Sequence, residues 1–160
     1  MACSGRNILI NGGFQKGRAP WTGKRISRMK NPLRAGDYSM WMGVTGAGGD
    51  SVLKQTIRGP FERGCVYYLY FRLLNVTPPQ SQAELYATVA YLNEKRQIIR
   101  STPLLIHPPY LGRKWYSYFT IVPSPLPMPG MLRWCSCLKK ACCLWITSVW
   151  LRMTFDGKMA

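Results

Sequence analysis

Tyr68, Tyr70 and Arg72 alternate with Tyr67, Leu69, Phe71 and Leu73 along the run Cys65–Leu74. Tyr86 and Thr88 alternate with Leu85, Ala87 and Val89 along Glu84–Leu92. A period of two puts each set on one face of a strand. If the two runs pair side by side, Tyr68, Tyr70, Arg72, Tyr86 and Thr88 share a face, and Tyr118 of the run 115–122 joins them. Aromatic planes ringed by hydroxyls and a guanidinium suit a sugar, which offers apolar C–H faces and a polar rim. The competing use of these residues is ordinary packing on a half-buried sheet.

Nothing else in the chain assembles into a reactive set. General acid–base chemistry needs placed acids or a histidine, and the chain has six acids, scattered singly, and one histidine, His107, in the proline-interrupted stretch 103–112. Glu84 and Glu94 stand at opposite ends of one strand, too far apart for the paired carboxylates of glycoside hydrolysis. The expectation is a protein that is not an enzyme. Four of the six cysteines fall between Cys135 and Cys143. Cys135-x-Cys137 and the adjacent Cys142-Cys143 lack the spacing of zinc knuckles and have no nearby histidine, and adjacent cysteines pair only with strain. The glycines of 43–49 are not followed by the Lys-Ser/Thr of a phosphate loop. No metal and no cofactor is expected.

Charge raises a different chemistry. The 22 Lys and Arg against 6 Asp and Glu give a net charge of +16, and the eight cations from Arg6 to Arg34 precede the first acid, Asp37. Arg18, Lys24, Arg25, Arg28, Lys30 and Arg34 therefore form an alternative, anion-binding set for nucleic acid or another anionic polymer. No recognised nucleic-acid motif accompanies them. No stretch reaches the roughly 18 apolar residues of a membrane span, and the first residues lack the apolar core of a signal peptide.

The elements that must position these side chains are short strands. A length of 160 residues is that of one domain, and 15 Gly and 12 Pro with no long helical pattern favour an all-β architecture. Asn7–Phe14 reads as a first strand ending in a Gly-Gly bend, with Trp21 as a lid over the core. Strands follow over 24–30, 37–42 (Tyr38, Met40 and Met42 on one face), 51–57, 65–74, 84–92, 97–102 and 115–122. Asn93–Arg96 turns 84–92 into a hairpin with 97–102.

From Pro123 the composition changes: cysteine and tryptophan crowd together and Asp156 is the lone acid. The division expected is a β-sandwich domain over 1–122 and an irregular, atypical tail over 123–160. The codon table offers an origin. Joining each codon's third base to the next codon's first two, with permitted codon choices, turns Arg133–Leu151 into Val-Val-Leu-Met-Leu-Lys-Lys-Gly-Val-Leu-Phe-Val-Asp-Tyr-Val-Ser-Leu. That is two alternating strands about a turn, and Phe155-Asp156 in the same frame supplies a stop. A frameshifted last strand pair is the hypothesis, and the gene's nucleotide sequence tests it.

Asn7-Ile-Leu-Ile-Asn-Gly-Gly-Phe-Gln15 with Trp21 after it, Gly36-Asp-Tyr-Ser39 and the Gln55-Thr-Ile57 strand resemble the jelly-roll, carbohydrate-binding-module-like domains of bacterial surface and secreted proteins. The likeness covers about residues 7–122, and the family's usual ending, Val-Asp-Asp-Val-Ser-Leu, is close to the shifted frame. It implies a two-sheet antiparallel sandwich whose first and last strands lie close together. It also implies a non-catalytic binding module for polysaccharide, at the cell surface or outside the cell. A structural or assembly module contacting other surface-protein domains is the alternative, and a basic anion or nucleic-acid binder is another. Relatives often hold a structural calcium. Gln15 stands here where they have Glu and the final Asp pair is missing, so the carboxylates a hard cation wants are reduced.

Overall fold

The computed structural model describes residues 7–43, 50–58, 61, 65–77, 83–109 and 114–123, and the backbone of 131–139 and 144–155. Ten strands are formed among the described residues: β1 Thr22–Lys24, β2 Ile26–Lys30, β3 Tyr38–Met42, β4 Ser51–Arg58, β5 Cys65–Asn75, β6 Glu84–Leu92, β7 Ile98–Ile106, β8 Tyr116–Val122, β9 Met131–Lys139 and β10 Leu144–Phe155. One sheet has the order β1-β4-β9-β6-β7 and the other β2-β3-β10-β5-β8, with every pair antiparallel. Only β2–β3 and β6–β7 are consecutive strands that pair. Each other step carries the chain from one sheet to the other, the wiring of a jelly roll.

Alternation explains the layering. Met40 and Met42 of β3, Leu53 of β4, Tyr67, Leu69, Phe71 and Leu73 of β5, and Leu85, Ala87 and Val89 of β6 point between the sheets and are buried. In β3, β5 and β6 these are the sets that period two groups on one face. Tyr91 lies among them, edge-on to Phe61, and its hydroxyl donates to the Pro123 carbonyl at 2.9 Å. Burial, with Tyr67 adding and Arg100 opposing, holds its pKa well above the ordinary 10.0. A phenol whose pKa is raised by folding contributes stability below its unfolded pKa and loses it as pH climbs past that value. Tyr91→Phe is therefore expected to cost about 1 kcal/mol near neutral pH, one hydrogen bond. That deficit should shrink above pH 10.0, measured by urea unfolding of both proteins across that range.

Two sequence expectations are corrected. Asn7–Phe14 is not a strand but a series of turns, because Asn11 (φ 54°) and Phe14 (φ 57°) adopt left-handed backbone. Asn side chains tolerate that conformation and compete with ladder bonds. Here Asn11 Nδ2 donates to the carbonyls of Gly17 and Ala19, each at 2.9 Å, and Oδ1 accepts from Lys16 N–H at 3.1 Å. Gln55 of β4 takes the place of a strand partner: its side-chain amide both accepts from Ile10 N–H and donates to Ile10 O, each at 2.8 Å. The second correction is that residues 103–106, expected in a loop, extend β7. Pro103 is accommodated because β7 is the sheet's edge and needs no outward ladder bond.

β1 depends on a glycine. A Cβ on Gly23 would lie 1.7 Å from the Val52 carbonyl oxygen across the β1–β4 pair. Gly23→Ala must push β1 off β4, and an expected loss of about 1–3 kcal/mol is checked by the urea midpoint.

The compositionally distinct segment holds a particular place in this architecture. β9 pairs with β4 from Ser51 to Arg58 and with β6 from Glu84 to Leu92. β10 pairs with β5 from Cys65 to Asn75, with an irregularity between Thr147 and Trp150, and with β3 at Met40–Met42. Each is the middle strand of its sheet.

Candidate functional site

Among the described residues, the one large exposed aromatic side chain, Phe119, lies on the face built by β5 and the edge strand β8. Their register sets Tyr68 opposite Ile121, Tyr70 opposite Phe119 and Arg72 opposite Ser117. Directly opposed residues in an antiparallel pair lie on the same side of the sheet. Because Tyr67, Leu69, Phe71 and Leu73 fill the interior, these three pairs form the outer surface. Phe119 is 68% and Ile121 51% exposed, whereas Tyr68, Tyr70 and Arg72 are half-buried. From Tyr68 to Arg72 the platform is about 13 Å long.

Apart from the Tyr68 hydroxyl, its polar groups lie toward the Arg72 end. The Tyr70 hydroxyl and Ser117 Oγ are 2.9 Å apart and hydrogen-bonded. The Arg72 guanidinium sits 5.8 Å from the Trp115 ring centroid, whereas Lys114 Nζ lies 5.7 Å from the ring of Tyr116, which opposes the buried Leu73 and so belongs to the other side of the sheet. Among the described residues the buried Trp115 indole N–H has no acceptor. An arginine held over an indole by cation–π attraction keeps its N–H donors for a ligand. No strand of this sheet contains an acid, while Arg28, Lys30, Arg72 and Arg152 lie in it.

Three of the six residues expected on one face are brought together: Tyr68, Tyr70 and Arg72. Tyr86 and Thr88 belong to β6 in the other sheet, where they stand opposite Leu105 and Pro103 of β7. Outward residues of the two sheets point away from each other, so the shared face inferred from pairing β5 with β6 does not exist. The chain crosses the sandwich between these strands instead of turning back beside itself. Tyr118 opposes Phe71 and stacks on it, with centroids 5.8 Å apart at 22°. It faces the core, and burial, with Tyr116 adding, raises its pKa.

Phe119, Ile121, Ser117 and Trp115 are the members the sequence did not reveal. Period two separates Ser117, Phe119 and Ile121 from Tyr116, Tyr118 and Val122, yet aromatic residues occur in both sets, so the pattern alone does not say which faces outward.

The alternative basic set is partly used by the fold. Arg28 Nε donates to the Phe14 carbonyl at 2.6 Å, Nη2 donates to that of Gln15 at 3.1 Å, and the guanidinium lies 3.3 Å over the Tyr38 ring. Arg34 pairs with Asp37 at 3.1 Å on the surface, a contact of little energetic weight. Arg18, Lys24, Arg25 and Lys30 are exposed. Lys24 on β1 and Lys30 on β2 belong to different sheets.

No protein-family model matches the chain, and no curated protein sequence matches it. Solved structures do. The enzymatically active domain of tailspike protein 4 from bacteriophage CBA120 superposes with a TM-score of 0.73 at 17% identity, over 92% of this chain and 21% of that one. The carbohydrate-binding module TmCBM61, in complex with beta-1,4-galactotriose, gives 0.61 at 17% identity over 91% and 97% of the two chains. The CBM22-1 xylan-binding domain of Paenibacillus barcinonensis Xyn10C gives 0.65 at 13% identity over 98% and 100%. The chain thus spans about a fifth of the tailspike protein but nearly the whole of each binding module. Identities this low speak for the fold, and in fold the chain is a jelly-roll domain of the carbohydrate-binding-module type.

Proposed function

We propose that this domain is a non-catalytic module that binds a polysaccharide on the outer face of β5 and β8. The observation that carries the reading is Phe119, 68% exposed at an edge strand and in register with Tyr70. Large apolar side chains in water are expensive unless something covers them, and a row of rings with a tyrosine–serine hydroxyl pair beside it is complementary to a glycan chain. No cofactor is needed for such binding. The acids support the absence of hydrolysis: Glu84 opens the nine-residue β6 and Glu94 follows its end, a separation of about 30 Å where glycosidases use about 5–9.5 Å. The likeness to polysaccharide-binding modules favours a site of action outside the cytoplasm. Among the described residues no helix is long and apolar enough to cross a membrane.

Phe119→Ala is expected to leave the urea midpoint nearly unchanged while weakening binding to a polysaccharide panel by about tenfold or more, as loss of a stacked ring does. Unchanged affinity would remove Phe119 from the site. A second reading follows from the same exposure: Phe119 and Ile121 are covered by another protein domain in an assembly. It predicts a concentration-dependent oligomer that Phe119→Ala dissolves, with no glycan retained.

A further inference from the structure

Resting on that reading of the β5–β8 face, the charge around it identifies the class of glycan. We infer that the ligand is an acidic polysaccharide, a uronate-bearing chain whose carboxylate is taken by Arg72 and whose sugar ring lies on Phe119 and Tyr70. Three observations converge. Arg72 is in line with Tyr68 and Tyr70 on the outer side of β5 and opposes Ser117, so its cation belongs to the platform and not to a distant loop. Among the described residues its partner is the Trp115 ring, which leaves the planar fork of donors without a carboxylate. Among all five strands of this sheet there is no acid to neutralise it, and between Glu94 and Asp156 the chain has none.

Neutral sugar hydroxyls can accept from the Arg72 guanidinium, but they offset only part of the cost of desolvating a cation that has no opposing acid. A carboxylate converts that cost into a charge-assisted, bidentate hydrogen bond. The protein's net charge of +16 adds a long-range attraction that speeds encounter but does not choose a ring face.

The test is affinity measurement, by titration calorimetry and affinity electrophoresis, against polygalacturonate, the same polymer fully methyl-esterified, and neutral xylan and galactan. Expected are binding of polygalacturonate, a loss of about tenfold or more on esterification, and a steep fall with salt. Arg72→Gln should bind polygalacturonate no better than the ester. Lys30→Gln, an equal loss of charge at the sheet's far edge, should stay within about twofold of the parent. Circular dichroism confirms that both variants are folded, and the esterification arm stands even if Arg72→Gln is not. Equal affinity for charged and esterified polymer, or preference for a neutral one, overturns the uronate inference and leaves the polysaccharide site intact. Arg72→Gln behaving as the parent while Lys30→Gln loses binding also overturns it, assigning the attraction to general surface charge. Binding to no polysaccharide overturns both.

Discussion

A chain ending at Val122 should not fold. β9 and β10 are the middle strands of the two sheets, so deleting them divides each sheet into two-stranded remnants: β1–β4 and β6–β7 in one, β2–β3 and β5–β8 in the other. A two-stranded ribbon is marginal in water at best. Inward residues such as Leu53, Leu69 and Leu85 would keep their places only if the gaps closed. Far-ultraviolet circular dichroism of the shortened chain is expected to show no cooperative urea transition where the full chain shows one. A cooperative transition would mean that 1–122 is self-sufficient. The frameshift hypothesis gives the comparison a third arm. The shifted reading of 133–151 supplies two alternating strands across positions that β9 and β10 occupy. We propose that a chain carrying that reading unfolds at a higher urea midpoint than the chain as it stands. Equal midpoints would count against the proposal.

Trp21→Ala is expected to cost about 3–5 kcal/mol, the range for truncating a large buried aromatic, against a total stability of about 5–15 kcal/mol for a domain. Trp21 is 1% exposed, lies 5.4 Å from the Phe14 ring, and donates its indole N–H to the Asn11 carbonyl at 3.0 Å. It therefore closes the core and also locks the turn whose backbone is left-handed at Asn11 and Phe14. Removing it leaves a cavity, leaves the Asn11 carbonyl with the Phe14 N–H, at 3.0 Å, as its one remaining donor, and loosens the segment that Gln55 grips at Ile10. Trp21→Phe keeps most of the volume but not the N–H, and should lose about 1–2 kcal/mol. Urea midpoints of the three proteins separate packing from hydrogen bonding: if the two variants fall together, the bond dominates.

Period two was enough to locate β3, β4, β5, β6 and β8 and to sort the residues of β3, β5 and β6 into their two faces. That pattern is local, because successive side chains on an extended backbone must point to opposite sides whatever the rest of the chain does. For the same reason the sequence placed Tyr68, Tyr70 and Arg72 on one face, since they share a single strand. Which strands stand beside each other is not local. It depends on every crossover that buries the two apolar faces against each other, and no stretch of residues carries that information alone. Tertiary structure accordingly separated Tyr86 and Thr88 from the platform, turned Tyr118 into the core against Phe71, and brought Phe119 out beside Tyr70. The opening stretch shows the limit in miniature. Its apolar residues announced burial, and Leu9, Phe14 and Trp21 are buried. Whether that burial came through a strand or a turn was decided by the hydrogen bonds of Asn11 and by Gln55, 45 residues away from Ile10.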